Sequence, residues 1–344
     1  MSKLFSDRNR PVHMGRYPTE LLKRSRVMPD LEGLAPWPDL SFELPAGSHS
    51  LVPAMAEFQA MMDAVRDGAQ NCAPSDIPAD PEERSNHLKA FAYFNDISMV
   101  GIAPLRSDDR LQVPRRNPQI DRLSHALQTR QTKTLAAGID MIMADLRESM
   151  TAKPEPMDHH AYALVFLVAY RRDPRSGETG CDWVQDAQAE RAALLGAETA
   201  TVLANYIRVL GHSARAHSAT TCDVDLARLA VKAGLAQVAG DQIIHPWLKQ
   251  RFGLAAVTTD MALAPDLPLA ADQPKSVRMG LDWGLGRHGG ASRGSHDPYA
   301  RRDYAQGAHP FETLKRVETP TTYIDEPNVA RVPKRTDMFA RAQF

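Results

Sequence analysis

The chain has 344 residues, with 41 lysines and arginines against 42 aspartates and glutamates and a net charge of -1, so no charge excess points to nucleic acid or to a solvating tail. Its longest apolar run, Ala161 to Ala169, falls well short of the roughly 20 residues of a membrane-spanning helix, and the opening MSKLFSDRNRPVHMGRYP has no apolar leader. A cytoplasmic protein with neither a membrane nor a nucleic-acid partner is expected, and Cys72, Cys181 and Cys222 form no CxxC, zinc or iron–sulfur spacing.

Residues 1–50 carry Pro11, Pro18, Pro29, Pro36, Pro38 and Pro45 without a sustained apolar period. This predicts an extended arm lying over another surface, with at most a short helix near Glu20–Arg24. From Leu51 to Val65, Met55, Phe58, Met61, Met62 and Val65 recur at helical spacing, and Gly68 supplies a stop. A second helix, Pro81 to Phe94, opens on proline followed by Glu82 and Glu83, which suits the positive end of a helix. It leads into a short buried strand of Ile97, Met99, Val100, Gly101 and Ile102, ended by Pro104.

Pro118 begins the longest expected helix, with Ile120, Leu123, Leu127, Leu135, Ile139, Ile142 and Leu146 in three- and four-residue steps. Tyr162 to Tyr170 is nearly all apolar, as in a central strand covered on both faces. Asp182 is placed to cap the next helix, running to about Leu210 with Trp183, Ala187, Leu194, Ala197, Ala200, Ala204 and Ile207 along one side. Those alanines suit either a close-packed sheet or a flat ligand. Asp223 or Asp225 then caps a helix through Lys232, Gly234 ends it, and Leu254 to Leu263 forms another strand. Beyond Pro265 periodicity is lost. The glycine-rich Leu281 to Gly290 neither follows a strand nor opens a helix, so it reads as a turn and not a dinucleotide loop. The expected organisation is an arm over residues 1–50, an α+β domain over 51–270 and an irregular wrapping or linker segment over 271–344.

Few residues are marked for chemistry. His212, His217 and Cys222 lie close in sequence but lack the i, i+4 step that puts two ligands on one helical face, so no metal site is assigned. Both histidines are expected on the loop leaving the alanine-rich helix, bonding backbone or lining a pocket rim. His159 and His160 read as turn residues. Thr258, Thr259 and Asp260 end a strand, where they suit either a ligand's amides or the capping of nearby backbone. Without a nucleophile elbow or a marked carboxylate pair, the residues by themselves assign no catalytic site.

One stretch resembles a known family. VLANYIRVLGHSARAH, then DLARLAVKAGLAQVAGDQIIHPWLKQRFGLAAVTTDMALAPDLPL, between Val202 and Leu269, is similar to the cobalamin-binding region of reductive dehalogenases and the related epoxyqueuosine reductases. The shared order is a helix ending in IR..G, an alanine-rich helix, a glycine turn, a P..FG segment and a strand ending in TD.PL. Val100, Gly101, Ile102, Ala103 and Leu105 match the family's earlier VGIA.L strand. The resemblance implies a nitroreductase-like α+β sandwich, with helices flanking an antiparallel or mixed sheet and long irregular N- and C-terminal arms.

The departures bear on function. The family carries cysteine motifs for two iron–sulfur clusters after the TD.PL strand, whereas Asp260 to Phe344 contains no cysteine. Asp241 and Gln242 follow Gly240 where the family has a GR.G turn, and Ala262 replaces a proline. The sequence resembles the N-terminal half of the longer, catabolic members, a decayed duplicate of the cobalamin module. The ending RVPKRTDMFARAQF reads as an interrupted linker, so either a fragment or a separately encoded half is expected.

Two functions follow from the resemblance. One is a structural half, without iron–sulfur clusters, that packs in cis or in trans against a catalytic cobalamin and iron–sulfur half acting on halogenated aromatics. The other is a corrinoid-binding protein or an oxidoreductase with an external electron donor. In that second case the corrinoid lies against Ala197, Ala200 and Ala204, and Tyr206, Arg208, His212, His217, Thr258 and Asp260 are the lining candidates.

Overall fold

The computed structural model describes residues 10–40, 49–129 and 155–273. Its helices are α1 (Val52–Ala64), α2 (Pro81–Phe94), α3 (Gln119–Thr129), α4 (Cys181–Val184), α5 (Gln188–Val209) and α6 (Leu226–Lys232). The strands are β1 (Met99–Pro104), β2 (Arg110–Arg115), β3 (Tyr162–Ala169), β4 (Ala214–His217), β5 (Cys222–Val224), β6 (Gln237–Ala239), β7 (Gln242–Ile244) and β8 (Phe252–Thr259). An antiparallel sheet in the order β1-β3-β8-β4 forms the centre. Short pairs β2-β5 and β6-β7 lie outside it. The class is α+β, with helices flanking an antiparallel sheet, as the sequence predicts.

The sheet is covered on both faces, because alternate residues of a strand point to opposite sides. Ala163, Val165 and Leu167 join Met99, Ala103, Phe252, Leu254 and Ala256 under α6, with Leu31 and Leu34 of the arm added. Trp37 stacks on Phe252 with ring centroids 5.4 Å apart. The opposite set, Leu164, Phe166 and Val168 with Val100, Ile102, Ala255 and Val257, lies under α5 and α2. Outside α5 lies α1, which also meets α3 through Ala60 and Ile120.

At α5 the packing explains the small residues. A Cβ on Gly196 would come 2.8 Å from the Cβ of Ala255, and one on Gly253 would come 2.8 Å from that of Ala192. At these two points helix and strand therefore touch through hydrogen and methyl groups.

The outer side of β1 meets two side chains in place of a strand. Val100 donates its N–H to the Tyr93 hydroxyl at 3.2 Å, and Ile102 donates to Asp266 Oδ2 at 2.8 Å. The Asp266 N–H returns to the Ile102 carbonyl at 2.8 Å, while Lys89 pairs with its carboxylate at 2.8 Å.

The N-terminal arm is irregular as expected, with 3-10 turns only at Val12–Met14 and Thr19–Leu21. It is tied down by Arg24, which donates to the carbonyls of Gly234 at 2.7 Å and Leu267 at 3.0 Å.

Three expectations change, and the choice of cap for α6 is narrowed to one residue. The helix expected from Asp182 is broken: Asp182 sits inside α4, Asp186 takes a positive φ of 57°, and α5 starts at Gln188 without a side-chain cap. Trp183 consequently faces solvent. Asp225 caps α6, accepting from the N–H groups of Ala227 and Arg228, whereas Asp223 lies in β5. The last strand stops at Thr259, whose Oγ1 accepts the Met261 N–H at 3.0 Å and turns the chain. Strands β2, β4, β5, β6 and β7 were not anticipated from the sequence, being short, rich in polar residues or, in β2, interrupted by Pro114. The continuation of the Pro118 helix past Thr129, the Leu281–Gly290 turn and residues 274–344 lie outside the described residues. Among those described, no helix is long and apolar enough to cross a membrane.

Candidate functional site

The C-terminal end of β8 and strand β4 bring polar side chains together. Thr258 follows Phe252, Leu254 and Ala256 on one face, and the antiparallel register sets Arg215 opposite Thr258. His217 belongs to the same face of β4 and is fully buried. Its Nε2 meets Thr258 Oγ1 at 2.9 Å, and the same hydroxyl meets His160 Nδ1 at 2.8 Å. His160 Nε2 in turn meets Ser213 Oγ at 2.8 Å.

Proton positions along this chain follow from one backbone amide. Burial lowers the His217 pKa to about 3 against the pull of Asp223, so the ring is neutral. Its Nδ1 accepts the Asp223 N–H at 3.3 Å, leaving the ring proton on Nε2. That N–H is donated to Thr258, whose own O–H must then go to His160 Nδ1. His160, held at about 4 chiefly by burial, therefore carries its proton on Nε2 and donates it to Ser213. A serine beside a histidine resembles an activated nucleophile, but here the imidazole presents a proton where a general base needs a lone pair.

A charged group closes the inner end. Arg66 grips Asp223 through two bonds, at 2.8 and 3.2 Å. Arg215 reaches Asp67 at 2.6 Å, Asp223 at 3.2 Å and the carbonyl of Glu155. Burial opposes ionisation of Asp223, yet His217, Arg66 and Arg215 bring its carboxyl down to about 2. Since His217 is itself neutral above about 3, the two guanidiniums carry that effect near neutral pH. Two arginines thus balance two aspartates, as a buried ionic group requires.

A second centre surrounds Asp63 of α1. Its carboxylate accepts from Ser218 at 2.6 Å, Thr220 at 2.5 Å, Asn117 at 2.9 Å and Gln59 at 3.0 Å. Burial raises its pKa against those four bonds. The centre fastens α1 to the β4–β5 turn and to the start of α3.

The six lining candidates divide among four places. His217 and Thr258 are bonded to each other inside the corner. His212 Nδ1 and Asp260 Oδ1 face each other at 3.5 Å on its partly exposed rim. Arg208 is buried and donates to the Ala214 carbonyl at 2.9 Å, joining α5 to β4. Tyr206 lies on the outer side of α5, stacked on Phe91 at 6.0 Å and 2°. Placing His217 on a loop was wrong, because it is the last residue of β4, and His160 is a buried hub besides being a turn residue. The alanine face of α5 is taken by the sheet, with Ala200 and Ala204 fully buried in that packing. His160, Ser213, Arg66, Asp67, Arg215 and Asp223 carried no signal in the sequence, because their partners are distant in the chain.

Cys72 is exposed, and Cys181 and Cys222 are buried. Burial pushes the Cys222 thiol up to about 12, keeping it protonated and a poor metal ligand. Among the described residues, no three His, Cys, Asp or Glu side chains are grouped so as to hold a metal ion.

Comparison with solved structures bears out the resemblance to reductive dehalogenases. The catabolic reductive dehalogenase NpRdhA matches at 33% identity and a TM-score of 0.60, over 80% of this chain and 33% of that one. Its complex with 3-bromo-4-hydroxybenzoic acid matches at 32% identity and a TM-score of 0.61, over 81% and 34%. A further reductive dehalogenase, described in terms of B12-dependent dehalogenation, matches at 31% identity and a TM-score of 0.65, over 100% of this chain and 42% of that one. The chain therefore spans about a third to two-fifths of the length of these relatives. Epoxyqueuosine reductases also match, at 15% identity and a TM-score of 0.32. No protein-family model matches the chain, and neither does any curated protein.

Proposed function

We propose that this chain, similar to reductive dehalogenases throughout but matching well under half their length, is a non-catalytic structural half of such a protein. It packs, in cis or in trans, against a catalytic half that carries cobalamin and iron–sulfur clusters. The observation that carries this reading is the closure of α5 on the sheet. A corrin ring laid against Ala197, Ala200 and Ala204 would need space that the packed interior already fills, since all three are buried. The residues present do not fit a corrinoid on that face. In the polar corner His217, Thr258 and His160 satisfy one another and leave the rim to His212 and Asp260.

On this reading the carbon–halogen reduction belongs to the other half, with a halogenated aromatic as substrate, the class of the ligand in the NpRdhA complex. This chain's share is to hold a rigid, closed α+β surface beside it. Titration of the purified chain with hydroxocobalamin, followed by absorbance and calorimetry, tests the proposal. A folded sample is expected to show no saturable binding. Micromolar or tighter binding, worth about 8 kcal/mol or more, would overturn the structural reading and make the chain a corrinoid carrier.

A further inference from the structure

We draw no further inference here: the strongest candidate, the buried side-chain cluster around Asp63 where α1 meets the β4–β5 turn, belongs to the site already described, its carboxylate being taken up by Ser218, Thr220, Asn117 and Gln59.

Discussion

The two faces of the central sheet are covered by opposite means. Under α6 the contacts are bulky, with Leu226, Leu229, Leu235, Phe252 and Leu254 interlocked. That side also buries an ion pair, Lys232 Nζ to Asp109 Oδ2 at 2.6 Å. Under α5 the closest contacts are small, Gly196 on Ala255 and Ala192 on Gly253, and Leu203 and Ile207 of the helix complete the cluster with Leu164 and Phe166. The first face draws its stability from volume and is sensitive to losing it. The second adds close approach at Gly196 and Gly253 and has no volume to spare at those two points.

The largest effect is expected from Asp109→Ala, which strands the buried Lys232 ammonium. About 3–5 kcal/mol of stability should be lost in urea unfolding. Leu229→Ala on the same face should cost about 2–5 kcal/mol, for the lost contacts and the cavity left behind.

Acid should attack the α6 side first. His160 and His217 line its polar corner, and His245, beside β7, accepts the N–H groups of Trp247 and Leu248 on Nδ1. Burial holds their pKa values at about 4, 3 and 3. The unfolded chain takes up protons below about 6.5 and the folded one does not. Their stabilisation is therefore full above about 6.5 and is lost as pH falls towards 4. Going from pH 7 to 5.5 should cost roughly 1 kcal/mol per histidine. Hydrogen exchange at low pH should open residues 155–161 and the β6–β7 hairpin before α5.

Gly196→Val tests the other face, and overpacking there should cost about 1–3 kcal/mol. A neutral result would mean that α5 sits loosely on the sheet, which would return the flat-ligand alternative to contention.

Much of this contrast was legible in advance. The continuous apolar run of Tyr162 to Tyr170 announced a strand buried on both sides, and the proline and two glutamates opening Pro81 to Phe94 gave α2 directly. The alanine stripe was visible too, but its meaning depended on what faced it. That answer lay in Gly253 and Ala255, alternate residues of a strand more than 40 positions away. The polar corner was harder to foresee. ARAH reads as a solvated loop until Arg215 meets Asp67 and His217 meets Thr258, across separations of 148 and 41 residues. Periodicity reports local burial, whereas a buried charge depends on a partner that only the finished fold supplies.

The two side chains along the outer side of β1 also govern how the molecule can grow. An unfilled strand edge invites another chain to pair with it, which is the route to strand exchange and fibre formation. Tyr93 and Asp266 occupy the amides at Val100 and Ile102 that such a visitor would use. Burial pushes the Tyr93 phenol up to about 12, so it stays un-ionised across the physiological range. The sheet is thereby finished on the β1 side, where a visiting strand would find the Val100 and Ile102 amides already taken.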